Sequence, residues 1–572
     1  MKKLKGLGNE RYNVMFHTHT VSGIVISFAL FVIFYAGAFS IFRHEIAQWE
    51  NPDMRQPLNE NFDIDQAIKI IDESYGGLNY YENTNIWLPT EESPVLRVYG
   101  AIDQTDSTTE RMAAYISPAT MEVQDIRKPL TTVSDTIYFL HYFRQIPVAG
   151  IYIAGLVALF FLFAIVTGLL IHWKNLLTKM YAFTKKGSWK SIWTNAHTVL
   201  GVIGLPFQAM YAVTGAFLGL LILILAPASV LLYNGDQEAL VSKVNPAAAL
   251  TVEKDAQPFE HLSLNELYQK VRLEYPEFIV KNVNTRNYGK EDAVAFWNID
   301  DHQGINSTGS LAMRLKDGEV LKEYSLIPNQ KTYSMSIIGF IFKLHYSTYG
   351  GNVMRVIYFI LAMITCFMII SGILIWRTAR NNKRYTLKQR NFHHRITKWY
   401  LAVCLSLFPA FAILFLANKL VPIEMTDRIS VVNPIFFLSW LGLMIIGMFW
   451  NKYSLQNRNY LFIGGLLSVL VPIVNGVVTQ QWIWDTWNSA HWVAYIDLFW
   501  FFAGVSALYV SLFLLKIKDE TDIPQPIDYQ EGDEGVDDLV SEMEDTEDGK
   551  KENVTDVEPA LNSQLAIKGV SN

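Results

Sequence analysis

The chain has 572 residues, 51% of them hydrophobic and 13% aromatic, with a net charge of −7. This composition is too apolar for an ordinary soluble protein of that length, and it indicates an integral membrane protein. The charge is uneven, because residues 518–572 hold 17 acidic side chains against 4 lysines. A segment this charged and this poor in aromatics cannot bury enough surface to fold, so we expect an acidic disordered cytoplasmic tail. Such a tail serves solubility or docks a cytoplasmic partner, and we expect no nucleic-acid partner.

Runs of roughly 20 apolar residues, the length that crosses a hydrocarbon core about 30 Å thick, recur along the sequence. The first run is too long for a signal peptide and no cleavage site follows it, so we interpret it as a retained span. We predict about eight transmembrane helices, at residues 17–42, 148–173, 198–232, 352–376, 396–420, 431–450, 459–479 and 491–516.

Basic residues predict the orientation, since Lys and Arg near the ends of spans favour the cytoplasmic side. Three flanks are clearly basic: residues 1–11, 174–190 and 377–398. With eight spans these flanks alternate correctly. Both termini are therefore predicted to be cytoplasmic, and the long segments 43–147 and 233–351 are predicted to lie outside.

Spans 1 and 3 share an internal repeat. Span 1 contains the sequence HTVSG from His19 and span 3 contains HTVLG from His197. A Gly-Ala-Phe triplet begins 18 residues after each histidine, at Gly37 and at Gly215. The register is kept across a whole membrane span, which indicates a duplication.

Spans 2 and 4 continue the repeat. A Leu-His-Tyr triplet centred on His141 precedes span 2, and another centred on His345 precedes span 4. Each histidine is followed 27 residues later by a glycine, Gly168 or Gly372. The first four spans are therefore predicted to be an internal duplication of one pair of spans.

The two outside segments resemble each other as well. Each begins with a short amphipathic helix and continues with alternating strands, so we predict two small α+β domains. The helices are expected at 64–71 and 262–273. The strands are expected at 94–99, 111–116 and 122–126 in the first segment, and at 278–285, 293–299, 311–315 and 320–324 in the second.

The four repeated histidines are the main candidates for a functional site, because histidine is costly near hydrocarbon. His19 and His197 are predicted at the cytoplasmic ends of their helices, and His141 and His345 at the outer ends. Two imidazoles facing one another across a bundle can take both axial positions of a haem iron. The pattern predicts two haems, held by His19 with His197 and by His141 with His345, and His44 is the substitute candidate for the outer site.

The same residues are also compatible with simpler roles. The histidines could form hydrogen bonds at the membrane interface, or bind a metal ion, although no carboxylate or cysteine recurs beside them and zinc usually takes four ligands. The glycines of the repeat could leave room for a porphyrin or serve close helix packing. The cysteines, Cys366 and Cys404, both fall in predicted spans, and no C-x-x-C-H motif is present, so covalent c-type haem attachment is excluded.

The last four spans carry no comparable repeat and are predicted to be an accessory bundle. His393 and His394 occupy the position of the first histidine, but the glycine 18 residues later is missing. The predicted organisation is 1–42, the N-terminus and span 1; 43–147, outer domain 1; 148–232, spans 2 and 3 with their loop; 233–351, outer domain 2; 352–395, span 4 and a basic loop; 396–517, spans 5–8; and 518–572, the tail.

Residues 10–380 resemble the PepSY-associated transmembrane proteins, a group that includes iron-regulated membrane proteins and ferric-siderophore reductases. The resemblance rests on the HTVSG and HTVLG sequences, the two Leu-His-Tyr elements, and the helix ends GLLIHW and GILIWR. It implies PepSY-like periplasmic domains, a four-helix core with b-type haem, and a location in the bacterial inner membrane. Some relatives carry a fused cytoplasmic flavoprotein reductase, whereas this sequence has four extra spans, so the electron donor is expected to be external.

The leading hypothesis is a ferric-siderophore reductase, an oxidoreductase that takes electrons from a reductase or quinol and reduces periplasmic ferric chelates. No catalytic acid or base is evident. The alternatives are a membrane transport or binding protein for iron chelates, and a PepSY-type regulatory or structural protein without redox activity. The siderophore, the donor and the oligomeric state are not specified by the sequence.

The orientation can be tested with fusions to a reporter that is active on only one side of the membrane. We expect a reporter fused after Asn572 to show a cytoplasmic location, because the three basic flanks agree. A fusion after Asp103 is the matched control and should show the opposite side. Periplasmic activity of the C-terminal fusion would contradict the predicted topology.

Overall fold

The computed structural model describes residues 8–91, 93–103, 109–127, 132–176, 189–236, 239–240, 250–276, 278–300, 308–324, 333–423, 425, 427–450, 452–514 and 524. Most of the predicted basic loop at 174–190 and nearly all of the acidic tail lie outside these residues. The predictions for those two segments are therefore not tested by the structure.

Within this part of the chain, eight helices are long and apolar enough to cross a membrane, as predicted. Spans 1 to 8 are Asn9–Ser40, Ala149–His172, Leu205–Tyr233, Gly351–Ala379, Leu387–Leu420, Ile429–Phe449, Tyr453–Thr479 and His491–Leu514. Span 3 follows a helix, Trp189–Ile203, from which it is separated at Gly204, and span 5 consists of Leu387–Leu405 and Leu407–Leu420. Shorter helices are Arg43–Glu50, Ile64–Tyr75, Val133–His141, Leu264–Glu274, Tyr333–Tyr346 and Ile483–Ser489, with 3-10 turns at Pro52–Met54 and Trp173–Asn175.

The first four spans form a bundle. Span 1 packs against spans 2 and 4, span 2 packs against span 3, and the helix Trp189–Ile203 packs against span 4. Spans 2 and 3 meet at glycines, since a Cβ added to Gly155 would lie 2.8 Å from the backbone of Gly219. This contact needs residues without side chains and accounts for one close helix crossing.

The two segments predicted to form α+β domains contribute four strands each to one antiparallel sheet. The strand order is β4-β3-β2-β1-β5-β6-β7-β8, and β1 pairs with β5 at the centre, with Ile86 opposite Val283. Pairing the first strand of each half removes two exposed edges, which would otherwise be open to aggregation. The strands are β1 Thr84–Trp87, β2 Leu96–Asp103, β3 Thr109–Ile116, β4 Val123–Arg127, β5 Ile279–Arg286, β6 Val294–Asp300, β7 Thr308–Arg314 and β8 Val320–Tyr324.

Two helices, Ile64–Tyr75 and Leu264–Glu274, share one hydrophobic core with the sheet. Their N-termini cap each other. Asn265 Oδ1 accepts from the backbone N–H of Ile64 at 2.8 Å, and Asp65 accepts from the N–H groups of Leu264 and Asn265 at 3.0 and 3.1 Å. These bonds satisfy helix donors that would otherwise lack partners. The two halves of the outer region are thus joined through both the strands and the helix caps.

Spans 5 to 8 dock against the first bundle through buried polar contacts. Lys419 of span 5 donates to the carbonyls of Trp49 and Glu50 at 2.5 and 3.1 Å. The Trp49 indole donates to Asp497 of span 8 at 2.8 Å, and Asn475 of span 7 donates to the other oxygen of the same carboxylate. The helix Arg43–Glu50 therefore connects the repeated bundle with the accessory bundle.

A buried ion pair joins span 4 to the helix that follows span 1. Arg355 donates to both carboxylate oxygens of Glu45, at 2.5 and 2.8 Å, and also to the carbonyl of Ile41. The two side chains are only 7% and 1% exposed. In such a place the pair must be complete, because one charge left alone would have no solvent to stabilise it.

We expect Arg355→Met to lower the free energy of unfolding by about 3–5 kcal/mol, since Glu45 would be left as an uncompensated buried charge. Adding Glu45→Gln should restore part of the loss. Lys69→Met is the matched control, because Lys69 forms an exposed pair with Glu73, and it should cost less than about 1 kcal/mol. The free energy of unfolding would be measured in detergent. Equal losses in Arg355→Met and Lys69→Met would contradict the conclusion that Arg355 and Glu45 form a buried ion pair.

Candidate functional site: two histidine pairs and a cavity

The structure brings the four repeated histidines together in the two predicted pairings. The ring centres of His19 and His197 are 6.2 Å apart, and those of His141 and His345 are 5.9 Å apart. His141 and His345 lie in short helices next to the sheet and are named the sheet-side pair. His19 and His197 lie toward the other end of the bundle and are named the far-side pair.

Each imidazole lies over a glycine of another helix. A Cβ on Gly37 would lie 2.7 Å from Nδ1 of His141, and one on Gly215 would lie 3.7 Å from Cε1 of His345. In the far-side pair, Gly168 faces His19 and Gly372 faces His197, each at 3.1 Å from Cε1. Gly37, Gly168 and Gly372 therefore make room for imidazole rings, whereas a Cβ on Gly215 would be tight against Cβ of Ala158 at 3.3 Å and not against the ring. The sequence had suggested a different role for these glycines, as a flank for a porphyrin.

The other two glycines of the pattern do not contact histidine. A Cβ on Gly23 would meet nothing within 4 Å, and one on Gly201 would make ordinary contact with Met368 Sδ at 3.7 Å. Position in the motif alone therefore does not decide which glycine is needed.

In three of the four histidines, Nδ1 forms a hydrogen bond with a backbone carbonyl. That carbonyl belongs to the residue four positions before the glycine that faces the ring. His19 meets the carbonyl of Ala164 at 2.8 Å, His141 that of Ile33 at 2.8 Å, and His197 that of Met368 at 3.0 Å. A carbonyl only accepts, so Nδ1 carries the proton of the neutral ring and the lone pair is on Nε2.

In His345 the proton is also on Nδ1, but a hydroxyl and not a carbonyl accepts its hydrogen bond. Its Nδ1 lies 2.9 Å from Oγ1 of Thr214, which itself donates to the carbonyl of Met210. The threonine therefore accepts from Nδ1–H. Tyr211 adds a second support, since its hydroxyl donates to the carbonyl of His345 at 3.1 Å.

Sequence reasoning missed these supporting residues, although a signal was present. Thr167, Thr214 and Ser371 each stand directly before a glycine that faces a histidine, and all three hydroxyls lie within 3.5 Å of the corresponding Nδ1. The fourth such position is Ala36, beside Gly37. A hydroxyl preceding the repeated glycine is thus the detectable pattern.

The pairs fit a haem iron held by two imidazoles. Metal–imidazole bonds are about 2.0 Å and a ring centre lies about 1.1 Å behind its nitrogen, so two such rings would have centres roughly 6 Å apart. Among the described residues, none forms a hydrogen bond with Nε2 of these four histidines, whereas each Nδ1 is hydrogen-bonded. Histidines that bind a metal typically show this pattern, because the hydrogen bond at one ring nitrogen orients the other toward the metal. Burial lowers the pKa of both sheet-side histidines, which keeps them neutral and able to coordinate.

The two pairs are separated by most of the membrane. Gly37, which faces His141, follows His19 by 18 residues in the continuous helix of span 1. At about 1.5 Å per residue this is roughly 27 Å along the axis. One iron cannot bridge that distance, so each pair is a separate site.

A cavity of about 1670 Å³ extends from the sheet-side pair to the underside of the sheet. Its wall includes both histidines and the glycines that face them, and continues to Trp87 and Arg97 on the sheet. The helix that carries His345 is fastened to the sheet by Lys343, which pairs with Asp300 of β6 at 2.7 Å in a place almost without solvent.

Four aromatic or basic residues closely follow His141 or His345 in the sequence, and of these Tyr142 and Tyr346 line the cavity. Tyr349 instead bonds the hydroxyl of Tyr358 at 2.5 Å, and Arg144 lies over the ring of Phe139. The substitute candidate His44 also lines the cavity. The ring that pairs with His141 is nevertheless that of His345.

A site for a bare metal ion is not formed in the described part of the chain. No group of three or more His, Cys, Asp or Glu side chains comes together there in a way that could hold an ion. The two-histidine sites therefore differ from the four-ligand sites typical of zinc.

The contact between Gly37 and His141 can be tested on span 1 itself. We expect Gly37→Ala to displace the His141 ring. On the sequence-based prediction that each pair holds a haem, the variant should lose haem from the sheet-side pair and keep it at the far-side pair. Overpacking of this kind costs about 1–3 kcal/mol.

Gly23→Ala is the matched control, since it lies in the same helix with open space around it and should be neutral or slightly stabilising. The measurement is haem per chain and the visible spectrum of each purified variant. Equal haem contents in the two variants would show that the contact does not position His141.

Comparison with known proteins places this arrangement in a family. No curated protein matched the chain. The family model described as the PepSY-associated TM region matches residues 16–379, which include all four histidines, the four glycines that face them and the whole sheet. The chain therefore belongs to the PepSY-associated transmembrane family.

Proposed function

We propose that this protein is a haem b oxidoreductase of the bacterial inner membrane that reduces ferric chelates, such as ferric siderophores, on the periplasmic side. The observation that carries the proposal is the pairing of four half-buried histidines at two levels of one bundle, each with Nδ1 engaged. His141 and His345 would hold the outer haem, and His19 and His197 the inner one. Bound haem would supply one-electron transfer at each level.

The protein's own residues support this role in three ways. The carbonyls and hydroxyls on Nδ1 fix the ring orientation, and the glycines allow the rings to enter the bundle. Between the pairs, Phe34 packs on Phe161 and Phe207, and Tyr211 packs on His345 with centres 5.2 Å apart. This aromatic packing makes the part of the bundle between the two pairs apolar.

The reaction is the addition of one electron to Fe(III) in the chelate, which gives Fe(II). An external cytoplasmic reductase or quinol supplies that electron. Siderophores bind through hard oxygen ligands, which suit Fe(III) better than the softer Fe(II), so reduction favours release of the iron. The cavity beside the sheet-side pair is the place where a chelate would approach.

The same cavity also favours a second candidate, a membrane binding or transport protein for iron chelates without redox activity. The two candidates differ in cofactor content. A visible spectrum with haem b bands supports the reductase, and a colourless purified protein supports binding or transport.

The test is to reduce the purified protein without oxygen, add ferric chelates, and follow the haem spectrum while a chelator traps Fe(II). We expect rapid reoxidation together with one trapped Fe(II) per electron lost. His197→Ala should lose one haem and keep the other. A spectrum that stays reduced with chemically different chelates would contradict the proposal, as would unchanged haem content in Ala variants of all four histidines.

A further inference from the structure

Among the described residues, one basic side chain on the cavity wall has no acidic partner. Six arginine and lysine residues of the described chain line the cavity, and five of them form ion pairs. The pairs are Arg43–Asp135, Arg111–Glu82, Arg272–Glu60, Lys281–Asp300 and Arg355–Glu45. Arg97 is the sixth, and the described residues offer it neither an ion pair nor a hydrogen bond. Its Nε is buried without a partner, which is costly for a charged group unless a ligand complements it.

Arg97 is held in place by the sheet. It stands in β2 directly opposite Trp87 of β1, and its guanidinium carbon lies 5.2 Å from the centre of the indole ring. Stacking on an aromatic face orients a guanidinium and leaves its N–H groups at the edge available for a planar anion. Trp87 lines the same cavity.

The surroundings of Arg97 are positive. Burial, together with the nearby Arg97, Arg43, Arg355 and Lys281, lowers the pKa of His44 well below its ordinary value. The carboxylates on this wall do not cancel the charge of Arg97: Asp135 and Asp300 are engaged with other basic residues, Glu60 pairs with Arg272, and Glu91 is exposed and forms no ion pair with Arg97.

We infer that Arg97, on the cavity wall shared with His44 and Trp87, binds an anionic oxygen group of the chelate, so that the substrates are ferric complexes bearing carboxylate or catecholate oxygens. The inference rests on the proposed function. A guanidinium matches a carboxylate with two parallel hydrogen bonds, and such charge-assisted bonds are the stronger ones. Complexes without net negative charge lack this contact.

Gallium(III) chelates test the site without electron transfer, because gallium has the charge of ferric iron and is not reduced to a stable divalent ion under these conditions. The full-length protein in detergent would be titrated with gallium citrate, with a gallium tricatecholate, and with gallium desferrioxamine B, whose complex has no net negative charge. Calorimetry gives the affinity, and quenching of tryptophan fluorescence gives an independent measure. The two anionic probes distinguish carboxylate from catecholate recognition.

We expect Arg97→Gln to weaken binding of an anionic complex by roughly 10- to 100-fold, the range for losing a charge-assisted contact, and to leave the desferrioxamine complex unchanged. Arg97→Lys keeps the positive charge but loses the planar guanidinium, so its affinity for an anionic complex should lie between those of the unchanged protein and Arg97→Gln. Arg111→Gln is the matched control, since Arg111 lines the same cavity with a partner, and it should have little effect. Unchanged melting curves show that the sheet is intact in each variant.

The inference is overturned if neither anionic complex binds, or if Arg97→Gln and Arg111→Gln have equal effects. It is also overturned if Arg97→Lys binds no better than Arg97→Gln. Binding of an anionic gallium complex that depends on Arg97, with no reduction of the matching ferric complex, would support the site and refute the reductase proposal.

Discussion

The arrangement of this membrane core depends on one contact, an imidazole ring lying across a helix at a glycine. The missing side chain lets the ring approach, and in three sites the ring then reaches the carbonyl one turn earlier. That hydrogen bond selects the tautomer, which places the lone pair of the neutral ring on Nε2. Steric room and ring orientation thus come from the same place on the helix, and this arrangement occurs in both histidine pairs.

The second organising feature is the continuous sheet over the bundle. Because β1 and β5 pair, the outer segments of both halves form one layer, and the buried Lys343–Asp300 contact fastens that layer to the helix bearing His345. Arg355 and Glu45 fasten span 4 to the helix after span 1. The sheet-side pair is therefore held by the sheet on one side and by the spans on the other.

The cavity lies where these two layers meet. Its inner part is bounded by the sheet-side histidines and small residues of the spans, and its outer part by strands rich in polar and aromatic side chains. Most of its charges are balanced in pairs, which limits nonspecific attraction, and Arg97 is the exception on the sheet. The selectivity that we infer for Arg97 thus belongs to the sheet, whereas the histidines belong to the helical layer.

The sequence by itself determined the eight spans and the two histidine pairings, because hydropathy, helical length and repeat intervals are local or periodic signals. It also located seven of the eight strands. The short strand β1 was missed, and with it the single sheet, since four residues carry little pattern and nothing local marks which edge pairs with β5. Only the tertiary structure decided that glycines face imidazoles, and that Arg97 has neither an ion pair nor a hydrogen bond among the described residues. These features depend on distances between helices and strands far apart in the chain, which no local pattern encodes.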